Sequence, residues 1–148
     1  MASRQEAVWN WLRECPRIRD LYFSFGEAKR GATVLAPVTA FVDEFDREFI
    51  DGGGLKHCDF ALIRFEAIDP TPDGGAENVE ILLDVGALAE WISDQNDAGA
   101  FPDFPEDCLI TGVHVLPSGA GGIAAHDEYS AQYMLQFRVE YIYQKEDA

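Results

Sequence analysis

The chain has 148 residues, with Lys+Arg 11 against Asp+Glu 27 and a formal net charge of −16. That length suits one ordinary domain, and that charge works against binding to the outside of nucleic acid or to an anionic membrane. No window approaches the ~18 apolar residues of a transmembrane helix, and Met1–Glu6 lacks the apolar stretch of a signal peptide, so a cytoplasmic protein is expected.

Residues 4–14 read as a helix. Val8 and Leu12 are four apart, Trp9 and Trp11 flank them, and Cys15-Pro16 ends the run because proline disfavours helix at the residue before it. Ser3 with Glu6 three positions later has the form of a capping box. Leu21, Phe23 and Phe25 alternate as a strand, Gly26 to Gly31 reads as a turn, and Thr33 to Pro37 is expected to return as the second strand of a hairpin. In 41–50 the spacing of Phe41, Phe45 and Phe49 suits either a helix face or a strand. The run Glu48-Phe49-Ile50 into Gly52-Gly53-Gly54, followed by apolar Asp59 to Ile68, favours a β-hairpin.

Residues 69–76 are a loop by composition. The clearest helix covers about 78–96, where Ile81, Val85, Leu88, Ile92 and Gln95 form one stripe that Trp91 widens. Asn78 is its expected N-cap and Gly99 its stop. Phe101 to Pro105 is a stiff connection. Leu109 to Leu116 is apolar on both faces, which predicts a central strand, and Pro117 to His126 reads as a glycine-rich loop.

The last segment, Tyr129 to Tyr143, is apolar or aromatic at every odd position. Extended, it would reach roughly 50 Å, whereas a domain of this size is about 38 Å across. The strand is therefore expected to bend at a bulge, or to project and offer unpaired backbone to another chain. The order α-β-β-β-β-α-β-β predicts an α+β domain over residues 1–148, a mostly antiparallel mixed sheet with two main helices on one face.

Motifs for catalysis and metal binding are missing. No nucleophile elbow, P-loop or H-E-x-x-H stands in the sequence, and Gly119 to Gly122 has no following Lys-Ser/Thr to cradle phosphate. Cys15, Cys58 and Cys108 are far apart and match no zinc spacing. His57 and Cys58 are neighbours on a strand, so their side chains point to opposite faces. The expectation is a protein that is not an enzyme and uses no metal or cofactor. Charge is uneven: Arg4, Arg13, Arg17, Arg19, Lys29 and Arg30 lie in the first thirty residues with four acids, leaving about −18 for the rest.

Several pieces in order resemble a known family. They are Trp11-Leu12 with Cys15-Pro16, Leu21 to Phe25, Phe49-Ile50-Asp51-Gly52 with Asp59-Phe60, and Trp91-Ile92 with Gln95-Asn96. Phe101-Pro102-Asp103-Phe104 follows, and last come Tyr133, Arg138 and Tyr141. Together they resemble the small minor capsid or tail proteins of phages, found mostly in prophages of Gram-positive bacteria and similar to tail terminators. The family more often has Tyr before Ile-Asp-Gly, and here 41–49 is more apolar and 119–122 richer in glycine.

The resemblance implies a tail-terminator-like fold and a homo-oligomeric ring on the tail tube. It also implies docking to tail-tube and head-connector proteins, a place in the virion, and no enzymatic activity. An acidic lumen would repel passing DNA and keep it from sticking. On this reading the subunit contacts would come from Arg17 and Arg19 facing an acidic flank of a neighbour, from the tip at Gly52, Gly53 and Gly54, and from Tyr141 and Tyr143 at the strand end. A rival class is an acidic immunity or inhibitor protein that mimics nucleic acid and binds a nuclease. A third, a small-molecule enzyme, would need a polar pocket with perturbed titratable groups.

Overall fold

The computed structural model describes residues 3–16, 18, 20–23, 32–38, 45–67, 75–126 and 130–144. In chain order the elements are α1 (Arg4–Leu12), β1 (Asp20–Phe23), β2 (Ala32–Pro37), β3 (Phe45–Glu48), β4 (Gly54–Ala67), α2 (Gly75–Ala98), β5 (Cys108–His126) and β6 (Ser130–Tyr143). The strands make one six-stranded sheet in the order β1-β2-β4-β6-β5, with β3 also paired to β4. The fold is α+β: a mostly antiparallel mixed sheet with two helices.

Local chemistry sets the helix ends. The Ser3 hydroxyl accepts the Glu6 N–H at 3.1 Å and caps α1, leaving Ala7, Val8, Trp11 and Leu12 on its buried side. At the far end of α2, Gly99 takes φ +69°. Its N–H donates to the Asn96 carbonyl at 3.1 Å, and the Ala100 N–H reaches back to the Gln95 carbonyl at 2.9 Å. These are the paired bonds of a Schellman motif, in which glycine carries the left-handed residue without strain.

The core lies between the helices and the odd face of β6. Ala131, Tyr133, Leu135, Phe137, Val139 and Tyr141 are all buried, as the alternation requires. Their partners across β4 include Leu62 opposite Leu135, Phe60 opposite Phe137 and Cys58 opposite Val139. Phe60 and Phe137 stack with centroids 5.6 Å apart. Val85, Leu88 and Ile92 of α2 close over this face, and Trp11 meets Trp91 at 5.0 Å, bringing α1 against α2. Farther along, buried Arg64 on β4 pairs with Glu66 at 3.0 Å and with Asp84 of α2, tying the helix to the sheet. Among the described residues no helix is long and apolar enough to cross a membrane.

Several sequence expectations are corrected. β1 and β2 pair in parallel, Asp20 opposite Ala32 and Phe23 opposite Leu35, so they are not a hairpin; the turn placed at 26–31 lies outside the described residues. α2 begins at Gly75, which puts Asn78 inside the helix instead of at its cap, and most of the 69–76 loop lies outside the described residues.

β5 is an edge strand, not a central one: β6 is already flanked by β4 on its other side, and Leu109 is left exposed. Its outward edge is blocked at one point, where the Asn96 side-chain carbonyl accepts the Val113 N–H at 2.9 Å. The segment 117–126 continues β5 instead of forming a loop. Ala120 pairs with Leu135, Gly122 with Met134 and His126 with Ala131, with register shifts between them. Small residues give no alternation to read, so the pairing is dictated by β6. Finally, β6 neither bulges against β4 nor projects unpaired. All fourteen of its residues are in register with β4, and β5 lines its other edge. Its length is absorbed by neighbours at least as long, β4 with 14 residues and β5 with 19.

Candidate functional site

The β3–β4 hairpin brings an apolar tip to the end of the sheet. The turn is tight: the Phe49 N–H donates to the Gly53 carbonyl at 2.7 Å, and the Gly52 N–H to the Phe49 carbonyl at 3.1 Å. Gly52 has φ +89°, a conformation costly for other residues, and Asp51 Oδ1 accepts the Gly53 N–H at 2.9 Å. Gly53 and Gly54 are needed for a different reason. A Cβ on Gly53 would stand 2.5 Å from the Tyr143 carbonyl oxygen, and one on Gly54 would run into the Arg47 carbonyl.

Below the turn, aromatic packing stiffens the base. Phe45 and Tyr143 meet edge-on at 6.3 Å. The Lys56 ammonium lies 4.4 Å from the Phe45 ring centre and 4.7 Å from that of Tyr143. On this base the turn presents Ile50 fully exposed and Phe49 38% exposed. A rigid turn carrying two solvent-facing apolar side chains suits docking to another protein better than proton or group transfer.

Of the residues expected at a subunit contact, Gly52, Gly53, Gly54 and Tyr143 are gathered at this end of the sheet. Tyr141 is corrected: its side chain is 0% exposed, packed edge-on against Phe104 at 5.5 Å, with its hydroxyl accepting from Arg4 at 2.9 Å. It belongs to the core and offers no surface to another chain. Arg17 and Arg19 lie outside the described residues. Ile50, the most exposed apolar side chain of the tip, is not among the residues the sequence reading placed at a contact. The signal was present, since an apolar residue beside a glycine turn sits beyond the sheet and cannot reach the core.

Titratable groups elsewhere are arranged as structural pairs. On the sheet face away from the core, Arg138 makes two bonds to Asp59, and this hydrogen bonding to a carboxylate raises the Arg138 pKa. His57 Nδ1 lies 2.7 Å from Asp46, and His114 Nε2 is 3.8 Å from Glu140. Cys58 sits on the opposite, buried face from His57, so the two do not form a nucleophile–base couple. Cys15, Cys58 and Cys108 form no disulfide among the described residues. The Cys108 thiol is pushed up to about 11 by burial and then by adjacent Asp107, the reverse of what a reactive thiolate needs. Burial, and secondarily Glu66, raises the Tyr133 pKa. Among the described residues no three His, Cys, Asp or Glu side chains gather as a metal site. No protein-family model matches the chain, and no curated protein matches it.

Proposed function

We propose that the chain is a structural phage or prophage virion protein, a tail terminator or head–tail joining minor protein that forms a ring at the end of the tail tube. The observation that carries this reading is the hairpin tip, with Ile50 and Phe49 held out to solvent on a braced turn. The same stretch, Phe49-Ile50-Asp51-Gly52, is one of the pieces that resemble the minor capsid and tail protein family. Other pieces of that resemblance meet in space: Asp59 and Arg138 are cross-strand partners, and Phe104 packs on Tyr141. The tip would dock onto tail-tube or head-connector subunits.

The test is removal of the gene from the phage that carries it, with particles viewed by negative-stain electron microscopy. Tails of uncontrolled length, or heads and tails left unjoined, are expected, with restoration by the wild-type gene but not by Ile50→Asp. Normal, infectious particles without the protein would end the proposal.

A second reading is favoured by the acidic surface of α2, where Glu80, Glu90, Asp94 and Asp97 are exposed. On it the protein is a monomeric inhibitor that occupies the nucleic-acid site of a nuclease in a one-to-one complex. Growth of a nuclease-producing strain only when this chain is co-expressed would favour that reading over the virion one.

A further inference from the structure

We infer that the hairpin tip of one copy seats in a cleft on a second copy, between α1 and the segment that follows α2. This contact rests on the ring reading above and joins its copies.

The cleft has a volume of about 280 Å³, and Ala7, Trp11, Phe101 and Pro102 give it an apolar lining. Its walls are fixed before anything binds. The Trp11 Nε1–H donates to the Ala100 carbonyl at 2.8 Å, and the Phe104 N–H to the Pro102 carbonyl at 3.1 Å. An apolar cavity of roughly 150 Å³ already holds a benzene-sized group, so one branched side chain has room here. At the rim stand Asn10, Glu14 and Asp103, all exposed. Neither carboxylate has an ion pair among the described residues.

The tip is the matching convex part. Ile50 stands fully exposed on its braced turn, and Arg47 and Phe49 border the same open surface. Among the described residues, Arg47 is the one Lys or Arg without a partner. Arg4 reaches the Tyr141 hydroxyl, Arg13 lies over Trp9, and Lys56 lies over Phe45 and Tyr143. Arg64 and Arg138 are held by carboxylates. An unpaired cation beside an exposed isoleucine on one copy thus complements two unpaired carboxylates beside an apolar cleft on the next. The acids of the tip do not cancel this match. Asp51 is turned back onto the Gly53 N–H, and the Asn10 amide is a neutral donor for Glu48.

A convex surface meeting a concave one is a heterologous contact, which repeats from copy to copy until the rotation closes a ring. Ile50 is its apolar anchor. Arg47 against Glu14 and Asp103 sets the register, since exposed pairs are weak and screened by salt. Phe49 is left for the tube or connector subunits.

Sedimentation of the full chain up to about 1 mM, enough to detect weak contacts, tests this. Wild type is expected to self-associate. Ile50→Asp spoils the tip and keeps the cleft, whereas Glu14→Lys with Asp103→Lys spoils the cleft and keeps the tip. Each alone should associate about tenfold or more weakly. Mixed in equal amounts they should pair, one tip to one cleft, and stop at two chains. Arg47→Glu should weaken association too, and should recover it in a chain that also carries the two lysines. All four side chains are exposed, so circular dichroism melts should stay close to wild type.

A wild-type chain that stays monomeric, variants that associate like wild type, or a mixture that does not pair would each overturn the contact. None of these results depends on the virion phenotype. Faulty tails after gene deletion, with no pairing in the mixture, would keep the ring reading while this contact fell.

Discussion

Asp59 on β4 and Arg138 on β6 face each other across the sheet and are joined by two N–H···O bonds, at 2.8 and 3.1 Å. The geometry is bidentate, which lysine cannot reproduce. Arg138→Lys should therefore destabilise nearly as much as Arg138→Ala. Because the pair is partly open to water, its coupling in a double-mutant cycle with Asp59→Asn should be about 1 kcal/mol, read from urea denaturation. Full rescue by lysine would show that only net charge matters there.

Leu88 and Phe137 meet in the same core, 2% and 0% exposed. Truncating either to alanine should leave a cavity and cost about 2–5 kcal/mol. Thermal melts within a degree of wild type would place the core on other faces.

Glycines at two places should respond with opposite sign. Gly54→Ala forces a Cβ into the Arg47 carbonyl and should cost roughly 1–3 kcal/mol by opening the β3–β4 pairing. Gly86 is exposed in mid-helix with nothing within 4 Å of a new Cβ, so Gly86→Ala should stabilise by about 0.5–1 kcal/mol. Chemical denaturation of the two variants checks both signs.

Tyr141 and Tyr143, adjacent on one face of β6, should behave differently. Tyr141→Phe removes the hydroxyl that accepts from Arg4 and should cost about 1 kcal/mol, while Tyr141→Ala should cost about 3–5 kcal/mol. Tyr143→Ala should cost less, since its ring is only half-buried against Phe45 and Lys56. Equal losses would contradict the burial difference.

The Cys108 thiol, raised to about 11 by burial and Asp107, predicts a pH dependence. Because the folded pKa lies above the unfolded one, this contribution is fully present below pH ~9 and is lost as pH climbs towards ~11. Cys108→Ala should flatten that part of the stability profile. At pH 8 the folded protein should react with a thiol reagent at this position more slowly than the urea-unfolded chain does.

The sequence revealed most where burial imposes a period. The α2 stripe and the odd face of β6 were readable because a helix or strand packed on one side must repeat its apolar residues. Strand pairing was less readable. Leu21–Phe23 and Thr33–Pro37 have the same alternation whether they run parallel or antiparallel, and nothing local distinguishes the two. In 117–126 glycine and alanine erase the period altogether, and only the partner strand reveals the pairing. At the candidate site, the glycine turn was legible from its composition. The alternation put Tyr141 on the buried face, but how far burial runs towards the strand end was not legible, because there it depends on Phe104 and Arg4, distant in sequence.

The in-register pairing of β4 with β6 also sets an order of events at the ribosome. β4 ends at Ala67, but the strand that covers its long inner edge is complete only at Tyr143. At ordinary synthesis rates the interval is roughly 4–15 s. Through that time Phe60 and Leu62 have no β6 to pack against, on a strand edge free to pair with anything nearby. The nascent chain is thus most exposed to misassembly between the emergence of β4 and that of β6. A truncation ending before β6 should aggregate or be captured by chaperones, while the completed chain should not.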